Sequence, residues 1–323
     1  MPALSLHRER PIPFTVIGGF LGAGKTTLLN RLLREADGIR YAVLVNDFGS
    51  LNIDAELIAA HDGETIALAN GCICCSIGDS LLDTLLSVLS RADPADHILV
   101  EASGVADPAR IAEIAVLDPA LQPDGVLVLA DAAEIGALAD DPRVGDTVRR
   151  QLAAADLIVL NKADLVEAEV LASREAWLAE GWPQAARLTA RQAEVPAALL
   201  LGRGGVTPPA GGHPARRHDH GHDLGHAHED GFRRAMLSHS APLDRQAFAR
   251  FADALPPAVL RAKGFVRLAG TPDAAMLFQK AGRRWSLVPA ARGERPAETR
   301  LVFIGTPEMP GEDELRRRLD LVG

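Results

Sequence analysis

One stretch near the N-terminus, Gly19-Phe20-Leu21-Gly22-Ala23-Gly24-Lys25-Thr26-Thr27, restricts the fold of this chain more than any other. It follows the apolar run Phe14 to Ile17 and precedes a helical pattern, Leu28 to Glu35. Glycines at 19, 22 and 24 reach backbone conformations closed to other residues, so consecutive N–H groups can turn into one concavity that holds phosphate oxygens. The N-terminus of the following helix adds partial positive charge. A Gly-x4-Gly-Lys-Thr spacing between strand and helix is a Walker A loop. It implies a nucleoside triphosphate cradled by Gly19, Gly22, Ala23 and Gly24, with Lys25 at the β- and γ-phosphates, Thr26 on a Mg²⁺ ion and Thr27 at the α-phosphate.

Such a loop belongs at the edge of a wound sheet, and the following residues supply one. Tyr41 to Val45, Ile98 to Val100, Val126 to Leu129 and Leu157 to Leu160 read as buried parallel strands, with helical patterns at Leu81 to Leu89 and Pro108 to Val116. This alternation predicts an α/β fold over residues 12–201, a P-loop NTPase wound sheet with helices on both faces. Gly, Pro and then His dominate residues 202–231, which reads as a flexible linker. Residues 232–323 read as a smaller α+β domain: a helix at Asp244 to Leu255, strands at Phe265 to Leu268, Met276 to Gln279, Trp285 to Val288 and Leu301 to Ile304, and a last helix at Glu312 to Leu321.

Two further motifs follow the Walker A loop in the order its chemistry needs. His97-Ile98-Leu99-Val100-Glu101 is an apolar strand ending in a carboxylate, placed as a Walker B element. Glu101 would hold a Mg²⁺-bound water or position the attacking water, and the Gly104 N–H would sense the γ-phosphate. Asn161-Lys162-Ala163-Asp164 stands at the end of another strand, where open α/β sheets bind ligands. The Asp164 carboxylate can accept from the ring N–H and exocyclic amine of guanine, a pair of donors that adenine lacks. Leaving that acceptor unpaired costs about 1–3 kcal/mol, roughly 5- to 150-fold in selectivity, so the base is read as guanine and the nucleotide as GTP. Asn161 would tie this loop to the P-loop, and the Lys162 stem would cover the base.

All three cysteines of the chain lie within Cys72-Ile73-Cys74-Cys75. Thiols this close cannot staple distant parts of a fold but can present thiolates to one soft or borderline ion such as Zn²⁺. Small buried residues and a vicinal-thiol redox pair are the other readings of the same residues. Asp47, in Asn46-Asp47-Phe48-Gly49, can lend a carboxylate to either metal or form an Asx turn. His218, His220, His222, His226 and His228 alternate with Asp and Gly in the linker. Neutral imidazoles on a flexible tract can hold labile metal, and the plain alternative is a solvated linker.

A formal charge of -9 and few aromatic residues argue against nucleic acid as a partner. Residues 1–10 lack the apolar run of about 7–15 residues of a secretory leader, and no stretch approaches the roughly 18 apolar residues of a membrane span. A cytoplasmic location without membrane partners is the expectation.

Together these motifs resemble the CobW-type family of P-loop GTPases, a group of metallochaperones and metal-insertion proteins. The resemblance is carried by Gly19 to Thr27, Asn46 to Gly49, Gly71-Cys72-Ile73-Cys74-Cys75, Glu101-Ala102-Ser103-Gly104 with Asp107-Pro108, Asn161 to Asp164, the His-rich linker and Arg261-Ala262-Lys263-Gly264-Phe265. It implies a GTPase domain, a CobW-type C-terminal domain, and Cys72, Cys74 and Cys75 as ligands of a transition metal, zinc first and cobalt second. Related proteins serve zinc homeostasis, cobalamin synthesis or activation of metalloenzymes. Here Asp47 replaces the family's switch Glu, Ser50 follows Gly49, and Arg187-Leu188-Thr189-Ala190 is the candidate for the last guanine-contacting loop. The implied partner is a client metalloprotein or metal-cofactor enzyme, and the reading admits a homodimer. Its rivals are a metal buffer with regulatory GTP binding and a nickel-insertion GTPase.

Overall fold

The computed structural model describes residues 11–35, 39–45, 68–69, 79–91, 95–197, 232–270, 275–290 and 298–321. The chain divides into two compact units, Met1–Leu201 and Gly202–Gly323.

The first unit is built on a seven-stranded sheet: β1 (Ile12–Gly19), β2 (Tyr41–Val45), β3 (Leu68–Ala69), β4 (His97–Glu101), β5 (Leu121–Asp131), β6 (Leu157–Asn161) and β7 (Ala186–Thr189). Their order is β3-β2-β4-β1-β5-β6-β7, and every neighbouring pair is parallel. The helices are α1 (Lys25–Arg34), α2 (Asp79–Leu89), α3 (Pro108–Leu117), α4 (Ile135–Asp140), α5 (Gly145–Ala154) and α6 (Ala168–Gly181). Every residue of β2, β4 and β6 is buried, as expected for strands covered on both faces. Side chains alternate across a strand, so Ile12, Phe14 and Val16 of β1 join one core with Ile111 and Ala115 of α3 and Val148 and Leu152 of α5. Leu28, Leu29, Leu32 and Leu33 of α1 are buried outside that cluster. The wound α/β sheet expected from the sequence is therefore present.

Tyr41 to Val45 coincides with β2, whereas the apolar runs in β1, β4, β5 and β6 are shorter than the strands that contain them. β5 begins at Leu121, ahead of its fully buried stretch, because Ile12 and Leu121 open the β1–β5 ladder. β7 has no apolar run in the sequence: only Ala186 of its four residues is buried, so it carries an edge strand's weak pattern. Midway along β1, His97 is fully buried beside Thr15 and Asp124. Thr15 donates from Oγ1 to Asp124 Oδ2 at 3.0 Å and therefore accepts from His97 Nε2–H at 2.8 Å, which fixes the imidazole tautomer.

The second unit is α+β. Its antiparallel sheet comprises β8 (Arg233–His239), β9 (Val259–Arg267), β10 (Ala275–Ala281), β11 (Arg284–Pro289) and β12 (Thr299–Gly305), in the order β11-β10-β9-β12-β8. Phe248 and Phe251 of α7 (Arg245–Asp253) and Leu315 and Leu319 of α8 (Glu312–Asp320) share its core with Phe278 and Phe303. The Arg261–Phe265 stretch lies in the middle of β9. A Cβ at Gly264 would collide with the Arg300 carbonyl oxygen of β12, so that glycine serves strand packing.

Candidate functional site

Parallel register brings together residues far apart in the sequence. Ile17 pairs with Glu101, Gly19 with Leu129, and Asp131 with Asn161, so the carboxyl ends of β1, β4, β5 and β6 form one edge. The chain crosses from β4 on one side of β1 to β5 on the other, and a crevice opens at such a reversal.

The P-loop lies over that edge. Gly19, Gly22 and Gly24 have φ values of 131°, 75° and 104°, which side chains with a Cβ rarely tolerate. At Gly24 there is a second constraint, since a Cβ would stand 2.4 Å from Asn161 Nδ2. Gly24 also precedes α1 in left-handed conformation and offers no side-chain cap, unlike Asp107, which accepts from Ala109 N at the start of α3. The first-turn N–H groups of α1 suit an anionic ligand instead. Lys25, only 8% exposed, curls over the loop and donates from Nζ to Gly19 O at 3.0 Å and Phe20 O at 3.3 Å. Thr26 donates from Oγ1 to Glu101 Oε1 at 3.0 Å, so the hydroxyl after the P-loop lysine meets the carboxylate that ends β4. Glu101 is buried, Thr26 is half-buried and Thr27 is exposed.

The Asn161–Asp164 turn is bolted to the P-loop by one side chain. Asn161 is buried, donates from Nδ2 to Ala23 O at 2.9 Å and accepts at Oδ1 from Ala193 N at 2.8 Å. Lys162 has φ 61° and ψ 34°, a left-handed conformation uncommon outside glycine. It turns the chain sharply off β6 into a single 3-10 turn, Ala163–Leu165, and leaves Asp164 exposed. Strain of this kind gathers where a side chain must be aimed.

Several contributors carry no motif. Asp131, at the end of β5, pairs with Lys162 Nζ at 2.7 Å from Oδ2 and accepts from Ala133 N at Oδ1. An aspartate after an apolar run was visible, but its tie to Lys162 exists only through the β5–β6 register. Gln192 and Ala193 both have positive φ, and Ala190 O accepts from Ala163 N at 3.1 Å. The loop that flanks Asn161 is therefore Ala190 to Ala193. Of the expected candidate Arg187-Leu188-Thr189-Ala190, Arg187 to Thr189 belong to β7 and Ala190 lies in that loop. Arg187 bonds back to Ala185 O, and Thr189 bonds to Glu175.

Gly104 packs against the P-loop, for a Cβ there would lie 2.4 Å from Leu21 Cδ2 and 2.9 Å from Leu21 N. Asp47, Cys72, Cys74, Cys75 and His218, His220, His222, His226 and His228 lie outside the described residues. Among the described residues no group of three His, Cys, Asp or Glu is placed to hold a metal ion, and no helix is long and apolar enough to cross a membrane.

Residues 13–188 match the family described as CobW/HypB/UreG, nucleotide-binding domain, and residues 232–322 match the cobalamin synthesis protein cobW C-terminal domain. The chain is 35% identical to the zinc chaperone CobW of Sinorhizobium sp, over 92% of this chain and 94% of that protein. It is 36% identical to zinc-regulated GTPase metalloprotein activator 1 of Schizosaccharomyces pombe, over 50% of this chain and 41% of that one. Among solved structures, the Zn(II)-bound YjiA GTPase from E. coli is similar at 27% identity and a TM-score of 0.46, covering 97% of this chain and 99% of that chain.

Proposed function

The chain belongs to the CobW/HypB/UreG family of nucleotide-binding proteins, and on that premise we propose that it is a GTP-hydrolysing metallochaperone whose cargo is zinc, with cobalt the second choice. The observation that supports the nucleotide half is the bond from Asn161 to Ala23 O, which ties the start of the Asn161–Asp164 turn to the P-loop. Lys25 exchanges its loop carbonyls for β- and γ-phosphate oxygens, the α1 N-terminus and the backbone from Gly19 to Thr27 hold the phosphates, and Asp164 accepts from guanine. Lys162, held from below by Asp131, lays its stem over the base.

Thr26 and Glu101 fit a Mg²⁺ ion, since a hydroxyl and a buried carboxylate, both hard oxygen donors, already meet at 3.0 Å. When bound, Mg²⁺ neutralises phosphate charge. Glu101 and the Gly104 N–H then orient the attacking water and the γ-phosphate. Water's oxygen bonds to the γ-phosphorus as the bond to the β–γ bridging oxygen breaks, leaving GDP and inorganic phosphate.

The metal half rests on the Cys-x-Cys-Cys sequence and on relatives named as zinc chaperones. Cys72, Cys74 and Cys75 bind the cargo as thiolates, with Asp47 and the histidines of residues 218–228 as further ligands, and the client is a metalloprotein or metal-cofactor enzyme. The cysteines fall between Asp47 and Glu101 in the chain, so a γ-phosphate that gathers these segments also shapes the thiolate site. Titration of Zn²⁺, Co²⁺, Ni²⁺ and Cu⁺ in the GTP-analogue and GDP states tests this, with turnover followed alongside. Zinc should bind tightest to the GTP-analogue state. Equal affinity in both states would sink the coupling, because a nucleotide shifts metal binding only through differential affinity.

A further inference from the structure

The segment between β4 and α3 is short and tied at several points. Ala102 N donates to Ile17 O of β1 at 2.9 Å, and Ala106 N donates to Ser103 O at 3.0 Å, closing a turn with Gly104 and Val105 at its tip. Asp107 then caps α3. One side chain from a distant element completes the set. Gln151 of α5, only 2% exposed, donates from Nε2 to Gly104 O at 3.0 Å and to Ala106 O at 2.9 Å. An amide nitrogen carries two hydrogens, so both bonds form at once.

A buried glutamine that satisfies two loop carbonyls can be a structural residue and nothing more. What sets this one apart is the other side of the turn. Gly104 is wedged between Gln151 and the P-loop, close enough to Leu21 that a Cβ would collide. Without a Cβ, Gly104 lets the peptides on its two sides rotate. The Gly104 N–H, the group offered to the γ-phosphate, shares its peptide with Ser103 O, which is held by Ala106 N. Gln151 fixes Ala106 and Gly104 by their carbonyls, so its amide restrains that peptide through the turn. Val105, 42% exposed, adds little burial to hold the tip.

We propose that Gln151 is a positioning residue that keeps the Ser103–Ala106 turn set against the P-loop, so that the Gly104 N–H meets a γ-phosphate without prior rearrangement. The inference rests on the guanine-nucleotide reading of the site and deepens it, because it assigns discrimination between tri- and diphosphate to a residue outside every motif. GDP lacks the γ-phosphate and gains nothing from the ordered turn. The Gln151 contribution is therefore selective.

The test uses the full chain as wild type, Gln151→Met and Gln151→Asn. Met keeps the length and removes both donors, whereas Asn keeps a polar amide that is one methylene too short for both carbonyls. Affinities for GDP and for a non-hydrolysable GTP analogue are measured with GTP turnover. In both variants GDP affinity should stay within about twofold of wild type, while analogue affinity and turnover fall, by about tenfold for Gln151→Met. An unchanged ratio of analogue to GDP affinity would overturn the inference. So would equal losses for both nucleotides, including a complete loss of GDP binding, which would make Gln151 a structural residue. Wild-type protein that binds neither nucleotide is a separate result, removing the guanine reading and this inference with it.

Discussion

On the guanine reading proposed above, Asp164 is the residue on which the identity of the base turns. Its carboxylate is exposed at the end of a turn whose entry residue, Lys162, is left-handed and whose first residue, Asn161, is pinned to Ala23 and Ala193. The aim of the carboxylate is thus set by backbone that cannot easily swing. Asp164→Asn replaces one of two acceptors with a donor facing the guanine N–H groups. GTP affinity should fall by roughly 5- to 150-fold, the range that an unpaired polar group produces. Xanthosine triphosphate carries a carbonyl where guanine carries its amine, and it should gain relative to GTP. Competition binding with both nucleotides measures the switch, and equal losses for both would count against Asp164 as the base reader.

Among the elements, β1 does two jobs along its length. At its carboxyl end it delivers the P-loop, and at its middle Thr15 links His97 of β4 to Asp124 of β5. The three side chains come from adjacent strands and form a polar cross-tie in a mostly apolar sheet. Thr15→Val keeps the β-branched shape but removes the acceptor for His97 Nε2–H and one donor to Asp124. The sheet should lose about 1–3 kcal/mol of stability, read as a lower urea midpoint at unchanged m. Nucleotide affinity should not change, because Thr15 stands four residues before Gly19, roughly 13 Å along a strand. A drop in affinity with unchanged stability would contradict this division.

At the scale of the whole molecule, the two units have separate cores and different charge. Residues 232–323 contain 16 Lys and Arg against 10 Asp and Glu, although the chain as a whole carries -9. The second unit's core is held by aromatic packing, with Phe278 edge-on to Phe248 at 5.0 Å and Phe251 edge-on to Phe303 at 6.4 Å. Phe278→Ala should destabilise that unit by about 3–5 kcal/mol. The chain has three tryptophans, of which Trp285 reports on this unit while Trp177 and Trp182 report on the first. Fluorine-labelled tryptophan followed by NMR through a urea titration should show the Trp285 signal moving to lower denaturant. A Trp285 transition unmoved by the substitution would mean that this aromatic core does not govern the unit's stability.

The sequence by itself determined the wound sheet, the phosphate loop and the places where Glu101 and the Asn161–Asp164 turn had to fall. These depend on local chemistry: glycines where the backbone needs positive φ, apolar runs where strands are covered on both faces, and polar residues where each strand ends. The edge strand β7 was not legible, because a strand covered on one side leaves no continuous apolar run. Tertiary structure alone decided which side chains meet. Asp131 under Lys162, Asn161 on Ala23 and Gln151 on the carbonyls of Gly104 and Ala106 join residues tens of positions apart, through parallel register and helix packing that no local pattern encodes. The P-loop could be read from nine consecutive residues. The side chains that aim its partners could be read only once the strands lay side by side.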